Sequence, residues 1–178
     1  MLYSNRLNSI GKTIVSILII SIAFIMLCGC SANQANANPQ PNIEKALLVN
    51  NVHLAALGLG AVLKNLDNER QIELCRNFVK PIRFFDDKSG YFYIYDMDGI
   101  NIAHATQPEK QGMDLINYKD SRGNLLIQGL IKAAKNGGGF VDFWWENPID
   151  KKEEKKLGYT EPIPGTNFLI GSGIYVGE

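Results

Sequence analysis

The fold is indicated most directly by GYFYIYDMDGINIAH, residues 90–104. Tyrosines alternate with apolar residues along its first half, which is the pattern of a strand with two different faces. Asp98-Gly99 is typical of a tight turn between antiparallel strands, and residues 100–103 again favour a strand. The stretch therefore predicts a β-hairpin that ends at His104. One face of its first strand carries Tyr91, Tyr93 and Tyr95, and the other face carries Phe92 and Ile94.

Two helices are predicted before the hairpin. A stripe of apolar residues at spacings of four and three predicts a long helix that begins near Ile43. Asn68 followed by Gln71 resembles a capping box, so a second helix is expected to begin at Asn68 and to run to Val79, before Pro81. The stripe of the first helix consists of Leu48, Val52, Ala55, Leu59, Val62 and Leu66.

The second half of the chain is expected to supply one more helix and three more strands. Apolar residues at helical spacing predict a helix that Asn136-Gly137 ends. Short apolar runs, separated by a charged loop and by the turn Pro164-Gly165, predict the strands. Together with the hairpin, these elements make an α+β domain of about 135 residues. The helix residues are Leu126, Ile127, Leu130, Ile131 and Ala134, and the strands are 140–146, 156–162 and 167–177.

The first thirty residues differ in kind from the rest. Residues 13–27 form an unbroken apolar run of fifteen, which as a helix would be about 22 Å long and so short of the roughly 30 Å of a bilayer core. That length is typical of a secretory signal peptide. The run leads into Leu-Cys-Gly-Cys (27–30), which resembles a bacterial lipobox, where the chain is cut before Cys30 and the thiol is acylated. An uncleaved anchor helix is the alternative.

This resemblance divides the chain into a lipoprotein signal peptide (1–29), a flexible tether (30–42) and a folded domain (43–178). Acyl chains on Cys30 would hold the domain to a membrane. The expected location is the bacterial cell envelope, on the extracytoplasmic side, which is the periplasmic side in a Gram-negative cell. Cys75 is the single cysteine of the folded domain, so no intramolecular disulfide is expected there.

Several successive segments resemble one family: IRFFDDKSGYFYIYDMDGINIAH, GMDLINYKDSRGN, AAKNGGGFVDFWW and KLGYTEPIPGTNFLIGSGIYV. Their order and spacing are similar to those of bacterial single Cache domains of the second subtype, over 43–178. The resemblance implies a PAS-like fold, in which a long N-terminal helix packs on a curved antiparallel sheet of about five strands. It also implies a receptor for small molecules outside the cytoplasm, with acetate, propionate, lactate or pyruvate as the typical class of ligand.

Members of this family usually sit between two transmembrane helices of chemoreceptors, histidine kinases or cyclases. The present sequence ends at Glu178, directly after the last predicted strand, so a separate sensor kinase or chemoreceptor is expected as the signalling partner. The resulting hypothesis is a lipid-anchored, ligand-binding sensor for signal transduction. The alternative is an envelope interaction module that has the Cache fold but binds no small molecule.

A small carboxylate offers few atoms for apolar burial, so charge-assisted hydrogen bonds must supply most of its binding free energy. Arg83, between apolar residues, is a candidate because a guanidinium binds a carboxylate through two hydrogen bonds. A structural ion pair with Asp86 or Asp87 is the alternative. His104, which matches an alanine-histidine pair common in the family, can donate one N–H and would be partly charged near neutral pH.

The strands supply further candidates. In the family the strand of Tyr93 and Tyr95 crosses the pocket, so their hydroxyls are expected to point at the ligand; a tyrosine ladder that only covers the sheet is the alternative. Phe143 and Trp145 are favoured for the pocket over their neighbours on the opposite strand face, and Lys156 could cap a ligand carboxylate. The ligand-binding candidates are thus Arg83, Tyr93, Tyr95, His104, Phe143, Trp145, Lys156 and Tyr159.

Charge and composition exclude other classes. The chain has 18 basic and 18 acidic residues and no basic stripe, so a nucleic-acid partner is not expected. Its two histidines, His53 and His104, give no metal-ligand spacing, and no activated nucleophile is evident, so neither an enzyme nor a metal or cofactor is expected. The long first helix could pair with a second copy in a homodimer, or its stripe could pack on the sheet, and the pattern fits both.

Overall fold

Residues 40–176 are described by a computed structural model, and they belong to one compact unit that spans 39–178. The predicted signal peptide, the predicted lipidation site Cys30 and nearly all of the predicted tether lie outside the described residues. The end of the tether is corrected, because a helix already begins at Gln40.

Two helices precede the sheet, as predicted. Helix α1 covers Gln40–Leu63 and helix α2 covers Asn68–Val79. The cap of α2 differs from the expected capping box, because the carboxylate of Asp67 accepts a hydrogen bond from the backbone N–H of Arg70 at 3.0 Å. Gln71 instead donates to two carbonyls in the turn between the helices, so it fixes that turn rather than the cap.

One face of α1 packs on the sheet. Most of the predicted stripe is buried there, but Val62 is 53% exposed, and Leu63 takes its place in the core. Ala56 and Leu63 are buried as well, so the centre of the buried face lies on their side of the predicted stripe and away from Val62. By length and composition Asn42–Leu63 would also suit a membrane span, a property that core helices share. The buried residues are Leu48, Val52, Ala55, Ala56, Leu59 and Leu63.

Five strands follow: β1 (Tyr93–Asp96), β2 (Asn101–His104), β3 (Gly139–Glu146), β4 (Glu153–Pro162) and β5 (Phe168–Tyr175), with helix α3 (Leu126–Lys135) between β2 and β3. They form one antiparallel sheet in the order β2-β1-β5-β4-β3. The predicted α+β fold, an N-terminal helix on a five-stranded antiparallel sheet, is therefore confirmed. Gly99 lies in the hairpin turn with φ 98°, which a side chain would strain. Strand β4 begins earlier than predicted, at Glu153 inside the charged loop.

Both faces of the sheet are covered. Helix α1 packs on β4 and β5, and α2 packs on β2; helix α3 packs on β3 and β4 from the opposite side. Because successive side chains of a strand point to opposite faces, each strand contributes to two separate cores. Ile94 and Ile170 belong to the core under α1, whereas Tyr93, Tyr95 and Leu169 belong to the core under α3. The polar and aromatic residues of the hairpin therefore gather under α3.

Candidate functional site

A small cavity lies between the sheet and α3. Its volume is ≈ 10 Å³, about what a single water molecule needs. A small organic ligand therefore enters it only if the lining side chains move apart. The lining residues are Tyr91, Tyr93, Tyr95, His104, Leu126, Leu130, Phe143 and Trp145.

Glycines in β4 and β5 make room for the large side chains of the site. A Cβ atom at Gly171 would lie 2.5 Å from a ring carbon of Tyr93, and one at Gly158 would lie 3.2 Å from the hydroxyl of the same tyrosine. A Cβ at Gly173 would lie 2.7 Å from Cε of Lys156. Any side chain at Gly171 or Gly173 would therefore displace a residue of the site.

His104 is a neutral hydrogen-bond donor to the cavity. Its Nδ1 accepts a hydrogen bond from the backbone N–H of Gln107 at 3.1 Å, so the proton of the neutral ring is on Nε2. Burial, and then the positive charges of Lys156, Lys110 and Arg83, lower the pKa of His104 to about 3. The prediction that His104 is partly charged near neutral pH is therefore wrong, because the folded domain excludes the charged ring.

Lys156 is fully buried and has no acidic partner among the described residues. Its Nζ lies 3.2 Å from the hydroxyl of Tyr175 and 3.8 Å from the ring centre of Tyr91, a lining residue of the cavity. Cation–π contacts offset only part of the cost of burying a charge, and burial lowers the pKa of Lys156 well below its ordinary value. An anion bound beside Tyr91 would compensate this charge.

The other polar atoms at the cavity are also donors. Burial raises the pKa of Tyr91 to about 12 and also raises the pKa of Tyr93 and of Tyr95, so all three phenols keep their protons at neutral pH. The indole N–H of Trp145 is buried, and no described residue accepts a hydrogen bond from it. Among the described residues, no Asp or Glu lines the cavity. A set of donors without acidic groups suits a ligand that carries its own acceptor oxygens.

The loop between β2 and α3 packs at the edge of the cavity. Nζ of Lys110 lies 5.4 Å from the ring centre of Trp145. Asp120 ties this loop to β3, because its carboxylate accepts from the backbone N–H of Asn124 at 2.9 Å and of Trp144 at 3.1 Å. Burial opposes the charge of Asp120, but its hydrogen bonds outweigh burial and lower its pKa. An ionised carboxylate therefore fixes the loop over the site.

Six of the eight predicted residues are brought together at this cavity. Five of them line it, and Lys156 lies beside the lining residue Tyr91. Their part in binding a ligand stays a prediction. The five lining residues are Tyr93, Tyr95, His104, Phe143 and Trp145.

Arg83 lies away from the cavity. Its exposed guanidinium donates to the backbone carbonyls of Ile82 at 2.6 Å and Ala105 at 2.7 Å. Among the described residues it forms no ion pair with Asp86 or Asp87 either. The expected placement of Arg83 in the pocket is thus corrected: the side chain ties the segment before the hairpin to the end of β2.

Tyr159 faces α1 instead of the cavity. Its ring centre lies 5.0 Å from that of Phe140, and its hydroxyl donates to Glu161 at 3.3 Å. Glu161 also pairs with Nδ1 of His53 on α1 at 2.9 Å. Since Tyr159 is three residues from Lys156 on one strand, the two side chains point to opposite faces. The placement of Tyr159 in the pocket is corrected for this reason.

Sequence reasoning missed several residues of the site. The sequence predicts Leu126 and Leu130 only as core positions of a helix, although they line the cavity. Gly171 and Gly173 carried a usable signal, because alternating glycines inside a strand mark a close approach of other groups to the backbone. Asn101, opposite Tyr95 in the ladder, is fully buried, and its amide has no partner among the described residues.

A family model described as Cache domain (dCache_2) matches residues 44–178, well over half of the chain. The chain belongs to the Cache domain family. Cache domains of this kind are extracytoplasmic sensor domains that bind ligands for signalling. The family expected from the sequence is thereby confirmed, although the matching model bears the name dCache_2 rather than that of the single-domain subtype.

Two curated relatives are signalling proteins. The methyl-accepting chemotaxis protein McpP of Pseudomonas putida is 24% identical over 181 residues, which is 97% of this chain and 32% of that protein. The sensor histidine kinase MctS of Rhizobium johnstonii is 33% identical over 91 residues, which is 51% of this chain and 20% of that protein. The matched regions thus make up a third or less of these relatives' own length.

Solved structures share the fold. A methyl-accepting chemotaxis protein from Vibrio parahaemolyticus matches with a TM-score of 0.67 at 30% identity, over 76% of this chain and 90% of that chain. A Cache chemosensory domain described for its carboxylic acid recognition matches with a TM-score of 0.60 at 23% identity, over 82% of this chain and 98% of that chain. Because the match covers nearly all of each solved chain, a Cache domain of this size folds on its own, and so should residues 39–178.

Proposed function

We propose that this Cache domain is a lipid-anchored extracytoplasmic sensor whose cavity binds a small organic acid of the acetate, propionate, lactate and pyruvate class. The observation that carries the proposal is Lys156, a fully buried cation without a described acidic partner, beside a cavity lined by hydrogen-bond donors. A carboxylate would compensate the buried charge and would accept from the neutral donors. A neutral or cationic ligand would leave Lys156 uncompensated.

The number of donors is sufficient for a useful affinity. A dissociation constant of about 1 μM corresponds to about −8 kcal/mol, and each buried CH₂ of a short acid contributes only about 0.8 kcal/mol. Hydrogen bonds to a charged group contribute about 1.5 to 3 kcal/mol each. Three of them, from the lining residues Tyr95, His104 and Trp145, would therefore supply about 4.5 to 9 kcal/mol. Leu126, Leu130 and Phe143 offer an apolar wall for the methyl end of the acid.

The relatives support a signalling role. McpP is a chemotaxis protein, MctS is a sensor histidine kinase, and one structural neighbour is a chemosensory domain that recognises carboxylic acids. By analogy we propose that the ligand-bound domain acts through a separate sensor kinase or chemoreceptor. Attachment to the membrane rests on the lipobox-like residues 27–30 and on acylation of Cys30.

The test is a thermal-shift and calorimetry screen of residues 39–178. Acetate, propionate, lactate and pyruvate should raise the unfolding temperature, whereas acetamide and propionamide, which have the same shape but no charge, should not. Lys156→Met should abolish the response to the acids while the variant stays folded. The matched control is Lys152→Met, a substitution of a lysine whose side chain is 77% exposed, and it should respond like the wild type.

Three results would defeat the proposal. If none of the acids, at millimolar concentration, changes the unfolding temperature or releases heat, the cavity does not bind this class of ligand. If the amides stabilise the domain as well as the acids do, or if Lys156→Met still responds fully, the buried charge is not what selects the ligand.

A further inference from the structure

The side-chain amide of Asn101, in β2, is buried without a hydrogen-bond partner. The residue is 0% exposed, and neither its Nδ2 nor its Oδ1 atom has a partner among the described residues. An amide has two N–H donors and one acceptor oxygen, and burying them unpaired opposes folding. Most buried polar side chains in proteins are paired, so this exception indicates a role other than packing.

The backbone holds this side chain in place. The N–H of Asn101 donates to the carbonyl of Met113 at 2.9 Å, and its own carbonyl accepts from the N–H of Gly112 at 2.7 Å. On its other side the residue pairs with β1. Asn101 is thus held between β1 and the loop before α3, so its amide stays buried unless these contacts break.

The amide lies on the cavity side of the sheet. Asn101 is directly opposite Tyr95 in the ladder, and His104 is directly opposite Tyr93. Residues directly opposite each other share a face, so Asn101 and His104 face α3 together with these two tyrosines. The register shift between Ile94 and Tyr95 gives β2 one extra residue, and this bulge lets residues 101 and 104 share a face although they are three apart.

Tyr95 connects the amide to the cavity. Burial raises the pKa of its phenol, and the neighbouring amide of Asn101 lowers this pKa in part. The amide is therefore beside the phenol, although no hydrogen bond joins them. Since Tyr95 lines the cavity, a ligand group that reaches its hydroxyl is also close to Asn101.

We propose that Asn101 makes the cavity selective for short 2-hydroxy acids of the lactate type, an inference that rests on the function proposed for the cavity. The amide needs a group that both donates and accepts a hydrogen bond, and a hydroxyl does both at a single atom. A keto oxygen only accepts, and a methylene group does neither. Each of these therefore leaves part of the amide unpaired.

The dimensions of the site place the hydroxyl next to the carboxylate. The ring centre of His104 lies 5.2 Å from that of Tyr91 and 5.9 Å from that of Trp145, and Lys156 lies against Tyr91, so the carboxylate belongs at this end. Asn101 is two strand positions away, about 6.6 Å at about 3.3 Å per residue. Hydrogen bonds of about 2.8 Å at both ends leave little length for the ligand itself.

Calorimetry of residues 39–178 with lactate, propionate and pyruvate tests the proposal, because the three acids share a three-carbon chain and a single negative charge. The wild type should bind lactate about tenfold more tightly than either of the others. Asn101→Leu should bind lactate about tenfold more weakly than the wild type does, since the buried hydroxyl then has no partner. The matched control is Asn77→Leu, at an exposed position of α2, which should keep the preference.

A second measurement uses the wild type alone. The assigned NMR signal of the Asn101 side-chain amide should shift when lactate is added, and it should shift less with propionate at equal occupancy. Circular dichroism should show Asn101→Leu folded, because the substitution removes an unpaired polar group from the interior.

Four outcomes would overturn the inference. Equal affinities for the three acids would leave the function of the cavity standing but would exclude Asn101 from ligand selection. Pyruvate that binds as tightly as lactate would show that the amide only donates. Asn101→Leu that keeps the preference for lactate would assign it to other residues. If none of the three acids binds, the proposed function fails, and this inference fails with it.

Discussion

Neutral His104 makes the stability of the domain sensitive to mild acid. In the folded domain its pKa is lowered from 6.5 to about 3, first by burial and then by nearby positive charges. Between these two values the unfolded chain binds a proton that the folded domain does not bind. The free energy of unfolding therefore falls as the pH decreases from 6.5 towards 3, and this contribution is fully present above 6.5.

The expected loss is large enough to measure. Each pKa unit between the two states corresponds to about 1.36 kcal/mol, so the contribution of His104 at pH 5 is smaller than at pH 7 by about 2 kcal/mol. With a denaturant slope of about 1 to 3 kcal/mol per molar urea, the midpoint of unfolding should fall by about 0.7 to 2 M. The loss should approach about 4 to 5 kcal/mol near pH 3, where carboxylates also begin to contribute.

Urea unfolding of residues 39–178 at pH 7 and pH 5 is the assay. The variant is His104→Asn, whose amide oxygen can still accept from the backbone N–H of Gln107; its loss between the two pH values should be smaller by about 2 kcal/mol. His53→Gln is the matched control, because these are the only two histidines of the chain. His53→Gln should lose as much stability between pH 7 and pH 5 as the wild type does.

The same control makes the pKa directly visible. In His53→Gln the ring of His104 gives the sole histidine signal in an NMR titration, and that signal should not move between pH 8 and pH 5. A midpoint of 6 to 7, or an equal loss of stability in His104→Asn and in the wild type, would refute the inference that the folded domain holds this ring neutral.

Three further substitutions separate structural from ligand-binding roles. Arg83→Ala removes hydrogen bonds to backbone carbonyls and should lower the free energy of unfolding by about 1 to 2 kcal/mol. Calorimetry should find its affinity for the acids unchanged. A lost affinity would show that Arg83 takes part in binding the ligand. Gly171→Ala should cost about 1 to 3 kcal/mol in urea unfolding and weaken acid binding, because its Cβ collides with Tyr93. Gly58→Ala, whose Cβ would meet nothing within 4 Å, should instead raise the free energy of unfolding by about 0.5 to 1 kcal/mol. Equal changes in Gly171→Ala and Gly58→Ala would argue against close packing around Gly171. Lys156→Met should leave the ligand-free domain as stable as the wild type or more stable at pH 7, because it removes a desolvated charge. It should also abolish the rise of stability with pH between the lowered pKa of Lys156 and 10.5. A strong destabilisation would show that the charge has a partner in the folded domain.

Local patterns were enough to predict the architecture. The hairpin around Asp98-Gly99, the bounds of α2 and the buried residues of α3 follow from periodicity and turn residues, and the structure has them where the patterns place them. The patterns of α2 and α3 work because each helix has one buried and one solvent-facing side, whereas the hairpin, buried on both faces, is marked by its turn residues. Helix α1 is the exception, since it is apolar on two sides, and periodicity alone could not tell which side meets the sheet.

The role of Arg83 was out of reach of the sequence. An arginine between apolar residues needs hydrogen-bond acceptors, but the N–H groups of its guanidinium can donate to carboxylates or to backbone carbonyls. Which of them is near depends on the path of the next residues, where Phe85 and Lys88 have positive φ angles of 65° and 61°. Non-glycine residues rarely adopt such angles, so no sequence rule predicts this turn. The hydrogen bond from Arg83 to the carbonyl of Ala105, which is distant in sequence, is therefore not predictable from local patterns.

Tyr159, in contrast, could have been placed from the sequence. Side chains on a strand alternate, so residues three apart cannot share a face. If Lys156 points into the site, then Gly158 and Thr160 share its face, and Tyr159 must lie on the other. The structure has this arrangement, with Tyr159 against Phe140 and Glu161. A strand over residues 156–162 is thus incompatible with both Lys156 and Tyr159 pointing into the pocket.

The same alternation explains why one lysine of the charged run differs from the others. Lys155 pairs with Asp142 at 3.1 Å on the outer face of the sheet, so its charge is compensated by its own domain. Lys156 follows it on the inner face, between Phe143 of β3 and Tyr175 of β5 in the ladder. An apolar residue at position 156 would be less costly to bury than a lysine. The domain therefore keeps an ionisable group that is costly to bury beside its cavity, and an anion bound there would stabilise its charged form.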